Sequence, residues 1–517
     1  MICDTTEAAV ADCTFVFATT ARNRDLTKPV FTPEAAMAEA RKRGAKSVVR
    51  RDVVRLVTPG TLTEESLLEA RRHNFLAAYA VVRDAAALAW VDISTGAFHV
   101  MALPQVRLGP ELARLAPSEV LVSEAQEIEL ANVVADAGAA LTALGRGSFD
   151  SSLAADRVAE VFGVASLDAF GTFERAELSA MGALVDYLKI TQKGKLPLLR
   201  PPQKEASGGG MQIDAATRRN LELTAALSGG RAGSLLACID RTVTAGGARL
   251  LERRLSSPSR DLAEINARLE AVGFSLDETE FRSALREALR KVPDIDRALS
   301  RLSLDRGGPR DLTAVRNALE QAAEIGARHD DTALPARLHD AVARLSGHDA
   351  LLDLLDQALV AEPPLLARDG GFIAPGHDEE LDEARTLRDE GRSVIARMQQ
   401  EYVSETGINS LKIKHNNVLG YFIETTAVHA DKMFALSERF IHRQTTANQV
   451  RFTTVELSEL ERRILNAGNE ALEIERRIYE ELRGEIMAQA PALSDLALGL
   501  AEIDLSLALA ELARQRD

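Results

Sequence analysis

Cysteine is nearly absent from this chain: 517 residues hold three, Cys3, Cys13 and Cys238. Their spacing gives neither a zinc-ligand pattern nor an even disulfide framework, which fits a reducing compartment. Aromatic residues are scarce as well, at 4%, and the dominance of Leu, Ala, Arg and Glu favours long packed helices over β-sandwiches. No apolar run approaches the roughly 20 residues of a membrane span. Asp4, Glu7 and Asp12 occupy the stretch where an export signal would carry positive charge. The expected location is cytoplasmic, with no membrane partner. Positive charge is also in deficit, with a net charge of −15, so binding of nucleic acid over the whole surface is excluded and any such contact must be a local basic patch. Finally, no Gly-x-x-x-x-Gly-Lys-Ser/Thr loop occurs, the only Gly-Lys pair being Gly194-Lys195 before Leu196. Without that loop, a paired nucleophile or a metal-ligand cluster, the chain is expected to be no enzyme and to hold no cofactor or metal of its own.

What the chain has is hydrophobic residue, 46%, enough to fill the cores of several domains. The stretch from Gly407 to Glu461 organises the rest. Leu411 and Ile413 alternate with Lys412 and Lys414, Asn416 and Asn417 offer a tight turn, and Gly420 to Glu424 returns as a strand. This predicts a β-hairpin with one oily and one basic face. Before it, apolar residues recur at Leu381, Ala384, Leu387, Gly391, Val394, Met398 and Tyr402. After it they recur at Leu457, Leu460, Ile464, Ala467, Ala471, Ile474, Ile478 and Leu482. A spacing of about 3.5 residues is a coiled-coil seam. Because the chain must double back, the two arms are expected to pair antiparallel, with the β-module at their tip.

Upstream, Glu34 to Arg43 reads as a short helix and Ser47 to Val57 as a strand before the turn Thr58-Pro59-Gly60-Thr61. From Leu76 to about Gly163 strands alternate with helices: Ala77 to Val82, Leu88 to Ser94 and Ala97 to Leu103 as strands, Leu108 to Leu115 as helix, Val120 to Val122 as strand. From Arg175 onward the pattern is helical. Loop signals interrupt it at Leu196-Pro197, Ser207 to Gly210, Ser257-Pro258, Gly307-Gly308-Pro309 and Glu362-Pro363-Pro364. Ser207 to Gly210 is no phosphate cradle, since no strand precedes it and no Lys-Ser or Lys-Thr follows.

Several long motifs, in order, resemble the MutS family of bacterial DNA mismatch-repair proteins. They are Val57-Thr58-Pro59-Gly60-Thr61, Asp186-Tyr187-Leu188 through Thr191-Gln192-Lys193-Gly194, Ile213 to Glu222, Gly233-Ser234-Leu235-Leu236 through Asp240-Arg241-Thr242-Val243-Thr244, Leu411 to Glu424, Ile441 to Thr446, and Thr454 to Glu461. The resemblance runs from about Ala35 to the C-terminus. It implies a mainly α fold with a small RNase H-like α/β connector, a long-helix lever and antiparallel coiled-coil arms carrying a β-rich clamp. The domains implied are an unmatched N-terminus with a remnant of the mismatch-binding domain (1–60), the connector (61–170), the lever (171–402 and 470–517) and the clamp (403–469). Most of the mismatch reader, with its Phe-x-Glu wedge, and the ATPase domain have no counterpart here. ATP and Mg²⁺ therefore belong to the full-length family and not to this chain. The resemblance also implies duplex DNA as partner and a MutL-type partner through the connector. Family homodimerisation is in doubt without the ATPase domain.

Phosphate contact needs cations and polar donors on one face, and the hairpin supplies Lys412, Lys414, Asn416, Asn417 and Arg443 as candidates for the duplex backbone. His415 and His442 receive no catalytic role. Asp240-Arg241-Thr242 is assigned structural work, an ion pair and a helix cap. Two other classes are weighed. One is a non-enzymatic coiled-coil scaffold. The other is an RNase H-like nuclease, which would require Asp84, Asp92, Glu119 and Asp150 to converge on Mg²⁺; Asp84 and Asp150 sit in apparent turns, and the first strand carries no carboxylate.

Overall fold

The computed structural model describes residues 55–206, 208–328, 333–416, 420–446 and 448–516. The expected helix at Glu34 to Arg43, most of the strand from Ser47 and the candidate Asn417 lie outside them. Val57–Asp517 forms one compact unit.

Its first part is a mixed sheet. β1 (Leu76–Val82), β2 (Ala85–Asp92), β3 (Ala97–Ala102), β4 (Glu119–Ser123), β5 (Ala140–Leu144) and β6 (Gln203–Lys204) lie in the order β5-β4-β1-β2-β3-β6. The first three form an antiparallel meander, and β4 runs parallel to β1. Both faces are buried, so the strands read as nearly continuous apolar runs rather than alternating ones. Ala77, Tyr79, Leu88 and Trp90 pack under α1 (Leu108–Leu115) and α2 (Glu127–Asp136). Ala78, Ala80, Ala89 and Val91 pack under α3 (Ser151–Phe162) and α4 (Arg175–Thr191). The expected meander and first helix are therefore present, with the Thr95-Gly96 turn closed by Gly96 at φ +75°.

The helical part runs through α5 (Ala215–Asn220), α6 (Leu235–Ile239), α7 (Ala245–Ser256), α8 (Leu262–Asp277), α9 (Thr279–Leu289), α10 (Ile295–Ser303), α11 (Pro309–Ala327), α12 (Ala336–Ala343) and α13 (Asp349–Ala358). The Pro and Gly signals fall between these elements, and Pro309 occupies the first turn of α11, where a missing N–H costs nothing. The ascending arm is α14 (Glu379–Thr406). It leads to β7 (Lys412–Asn416), β8 (Gly420–Thr426), α15 (Ala430–Ala435), β9 (Ile441–Thr445) and β10 (Gln449–Thr453), and α16 (Val455–Ala488) descends. α17 (Ala490–Arg514) then passes among α7, α8, α9, α10 and α12. Leu493, Leu496, Leu500, Ile503, Asp504, Leu505 and Leu507 are all buried, because a helix apolar on every side can be stable only inside. The fold is mainly α with a small α/β part and a β-rich tip, as expected. Among the described residues, no helix is long and apolar enough to cross a membrane.

Candidate nucleic-acid interface

The arms are built from local rules. Asp378 caps α14 by accepting from the Leu381 amide, and Gly407 ends it at φ +64°. Thr454 caps α16 through the Leu457 amide. With 28 and 34 residues, the arms are about 42 and 51 Å long at about 1.5 Å per residue. The seam buries Leu381, Ala384, Tyr402, Leu457, Leu460, Ala467, Ala471, Ile474, Ile478 and Leu482. Leu387, Val394, Met398 and Ile464 are only partly buried, and Ile395 rather than Val394 enters the seam. The arms approach closely at Gly391, where a Cβ would lie 3.1 Å from Ile464. At the tip, Tyr402 and Thr454 join the arms through their hydroxyls, 2.6 Å apart and buried.

The tip sheet has the order β7-β8-β10-β9, antiparallel throughout. Ile423 and Phe452 lie across from each other and, with Ile413, Met433, Phe440 and Val450, pack on Tyr402, Leu411, Leu457 and Leu460. The row Lys412, Glu424, Arg451, Gln444 crosses the sheet. Asn416 pairs with Gly420 and so ends β7 without a positive φ, and Gly420 is left-handed at φ +70°; Asn417 lies outside the described residues. Glu461 of α16 fixes that corner by accepting from the Tyr421 amide.

The candidate cations divide. Lys414 donates to Glu424 at 2.6 Å, and Arg451 donates to the same carboxylate at 3.1 Å while lying over the Phe422 ring at 4.6 Å. Burial acts to raise the Glu424 carboxyl, but these two hydrogen bonds hold it below its ordinary value. Lys414 is therefore ion-paired within the sheet, although its side chain remains 48% exposed. Lys412 and Arg443 are exposed, with no hydrogen bond or ion pair from their charged groups among the described residues. Arg443 sits at a β-bulge, since Gln444 faces Arg451 and His442 faces Phe452; a bulge re-aims a side chain away from the ladder. Asn416 is half-buried. His415 leans on Tyr421, and His442 packs on Phe434 and Phe452 and bonds Thr445. Lys432, Arg462 and Arg463 are also exposed near the tip, with no hydrogen bond or ion pair from their charged groups among the described residues. Lys432 belongs to the basic excess of the sequence between Glu405 and Arg451, and the Glu461-Arg462-Arg463 run lies outside the seam positions of α16.

The nuclease carboxylates do not converge. Asp92 is buried, with His73 Nδ1 at 2.7 Å and Ser94 Oγ donating at 2.7 Å. Burial alone would raise it, yet the His73 and Ser94 hydrogen bonds hold it well below the ordinary carboxylate value. Glu119 accepts from Thr58 and Tyr187 hydroxyls, the Gly60 amide and the Thr142 hydroxyl at 2.6 to 3.0 Å, so it anchors the Thr58-Pro59-Gly60-Thr61 turn to the sheet. Asp150 caps α3, and Asp84 is exposed between β1 and β2. Among the described residues no group of three or more His, Cys, Asp or Glu could hold a metal ion. Asp240 has its ion pairs, with Arg71 and Arg231, but the helix cap beside it belongs to Thr244, itself held by Asp504.

A doubly covered mixed sheet, a helical base and long antiparallel arms ending in a basic β-module define a lever-and-clamp protein. Comparison with known proteins gives the class its family: residues 74–200 match MutS domain II and residues 216–510 match MutS domain III. This chain belongs to the MutS family. It is 66% identical over 478 residues to the DNA mismatch repair protein MutS of Roseobacter denitrificans, covering 92% of this chain and 54% of that protein. The MutS proteins of Paracoccus denitrificans and Ruegeria pomeroyi are 67% and 68% identical over 480 residues, covering 92% of this chain and 54% and 55% of theirs. The chain thus spans about half the length of the curated relatives it matches.

Proposed function

We propose that this chain supplies the connector, lever and DNA-gripping clamp of a MutS-type mismatch-repair protein, with the domain limits given by the sequence: 61–170, 171–402 with 470–517, and 403–469. The clamp contacts the phosphate backbone of a duplex without reading its sequence. The observation that carries this is the group of cations, Lys412, Arg443, Lys432, Arg462 and Arg463, exposed around the far end of the arms of an otherwise acidic protein and without ion pairs among the described residues. Lys414 contributes by fixing Glu424 and the sheet rather than by direct contact. Mismatch reading and ATP hydrolysis are functions of the parts of the relatives that this chain does not match, and no Walker-type loop occurs in its 517 residues. A MutL-type partner docks on the connector, where Val106 and Ile128 are exposed on segments tied by the Gln105–Glu129 hydrogen bond.

The test is a titration of the purified chain with homoduplex and single-mismatch duplex at two salt concentrations. Weak binding, equal for the two duplexes and falling steeply with salt, is expected. Lys412→Glu/Arg443→Glu should lower the slope of log K against log[salt] by about 2, one unit per lost phosphate contact. Binding that is insensitive to salt, or unchanged in the double variant, refutes the proposal and favours the scaffold reading.

A further inference from the structure

Where β3, α1 and the segment after β6 meet α7, arginines outnumber carboxylates. Arg107 and Arg114 share Glu111, at 2.9 and 2.5 Å, and Arg114 also takes Glu205 at 3.1 Å. Arg200 holds Asp296 at 2.6 Å, a carboxylate that Arg249 also reaches at 3.4 Å. Arg218 is buried and its terminal nitrogen finds only the Ser256 carbonyl oxygen. Arg253, one turn beyond Arg249 on α7, is open to solvent and makes no side-chain hydrogen bond or ion pair among the described residues. Arg107, Arg114 and Arg200 thus divide Glu111, Glu205 and the shared Asp296, while Arg218 lies against Ser256 at the end of α7 and Arg253 sits one turn before that end.

Two guanidinium donors in this place, Arg218 Nε and Arg200 Nε, and one imidazole nitrogen, His99 Nδ1, are buried with no hydrogen-bond partner among the described residues. Such groups are rare in folded proteins and several together call for an explanation. His99 is 5% exposed, and its closest carboxylate oxygen, on Glu205, is 3.8 Å away and that carboxylate is already held by Arg114. The electrostatics agree. Although part of the Arg253 side chain reaches solvent, its guanidinium lies crowded by protein atoms, and this desolvation lowers it below its ordinary value; Glu205 opposes that, while Arg200, Arg268 and Arg114 reinforce it.

We propose that this junction between the sheet and the helical base binds a phosphate-type oxyanion, gripped by Arg253 and Arg218 with Arg114 and Arg200 behind them. A tetrahedral dianion takes forked guanidinium hydrogen bonds from several sides, which a single carboxylate does not. Only Arg253 is open to solvent, and Arg218, Arg114 and Arg200 are recessed, with side-chain exposures of 10% and 18% for the last two. The site therefore admits a small anion in preference to a polymer backbone. Because the arginines come from both the sheet domain (Arg114) and α7 (Arg253), a bound anion fastens one to the other.

The experiment is isothermal titration of the 517-residue chain with inorganic phosphate and, separately, with ADP, in chloride buffer at constant ionic strength. Arg253→Gln is compared with wild type and with Arg290→Gln, an exposed arginine just past the end of α9 and outside the junction. Submillimolar binding is expected for wild type and Arg290→Gln, with affinity lower by about tenfold or more in Arg253→Gln, the loss of one charge-assisted pair. Equal affinity for the two probes assigns the site to the free anion, and tighter ADP binding assigns it to a nucleoside phosphate. Phosphate should also raise the melting temperature of wild type more than that of Arg253→Gln. If the latter is destabilised without anion, Arg253→Lys makes the same comparison with the charge kept. No binding of either probe, saturation only at tens of millimolar, or unchanged affinity in the Arg253 variants overturns the proposal.

Discussion

Two buried histidines should make the sheet domain sensitive to mild acid, and the chain carries its own reporter. Trp90, its single tryptophan, is 1% exposed and stacks on His99 with ring centres 5.4 Å apart. Burial holds the His99 imidazole well below its ordinary value, and the cations Arg253, Arg114 and Arg200 add to the effect. Burial also lowers His73, although its hydrogen bond to Asp92 opposes the shift. Both shifts favour the neutral imidazole in the folded protein, and His73 Nδ1 lies 2.7 Å from the Asp92 carboxylate. In the unfolded chain both histidines titrate at about 6.5. A depressed folded value means that stability is complete above pH 6.5 and is lost as the pH falls through 6.5 toward the folded values. Between pH 6.5 and 5.5 His99, held well below its ordinary value, removes about 1 kcal/mol and the less shifted His73 removes less, so the loss is between about 1 and 2 kcal/mol. Asp92 titrates below this window, and its contribution is lost only in stronger acid. The assay is urea unfolding followed by Trp90 fluorescence at pH 7.5, 6.5 and 5.5 in phosphate-free buffer. His99→Gln should remove at least half of the fall in stability between the two lower values. Equal midpoints at pH 6.5 and 5.5, or an undiminished fall in His99→Gln, would refute the reasoning.

Three further substitutions probe the framework. Glu119→Ala leaves the Tyr187 hydroxyl and the Gly60 amide without their acceptor; a loss of about 3 kcal/mol in the Trp90-monitored transition is expected, and a wild-type midpoint would count against the anchor. Tyr402→Phe removes the hydroxyl contact between the arms and should cost about 1 kcal/mol, read as faster proteolysis at the tip with an unchanged Trp90 transition. Gly420→Ala places a Cβ onto the Glu461 carboxylate at a left-handed φ; destabilisation of the clamp by about 1 to 3 kcal/mol should appear as loss of its amide protection in hydrogen exchange, and full protection would show that Glu461 does not hold the corner.

Much of the architecture was legible because the relevant forces are local. The heptad spacing of Leu457 to Leu482 gives the descending arm, and Asp378, Thr454 and Gly407 mark helix ends by their own hydrogen-bonding and conformational preferences. The strands at Ala77, Leu88 and Ala97 are apolar runs broken by turn residues. The charges at the tip were only half legible. Lys412 and Lys414 look alike in a string of alternating residues; the register sets Lys412 opposite Glu424, yet it is Lys414, two residues on, that reaches this carboxylate diagonally beside Arg451, and Lys412 makes no hydrogen bond or ion pair among the described residues.

Composition and periodicity thus determined a helical chain with paired arms, an α/β part and a cationic tip, because those properties depend on residues close in sequence. Only the tertiary structure decided which charges remain available. Asp92 and Glu119 are consumed by His73, Thr58 and Tyr187, while Nε of Arg200 and of Arg218 are left buried without an acceptor among the described residues. Charge pairing is settled across tens to hundreds of residues of chain, by which donors and acceptors packing brings within hydrogen-bonding distance and which it shuts away from water.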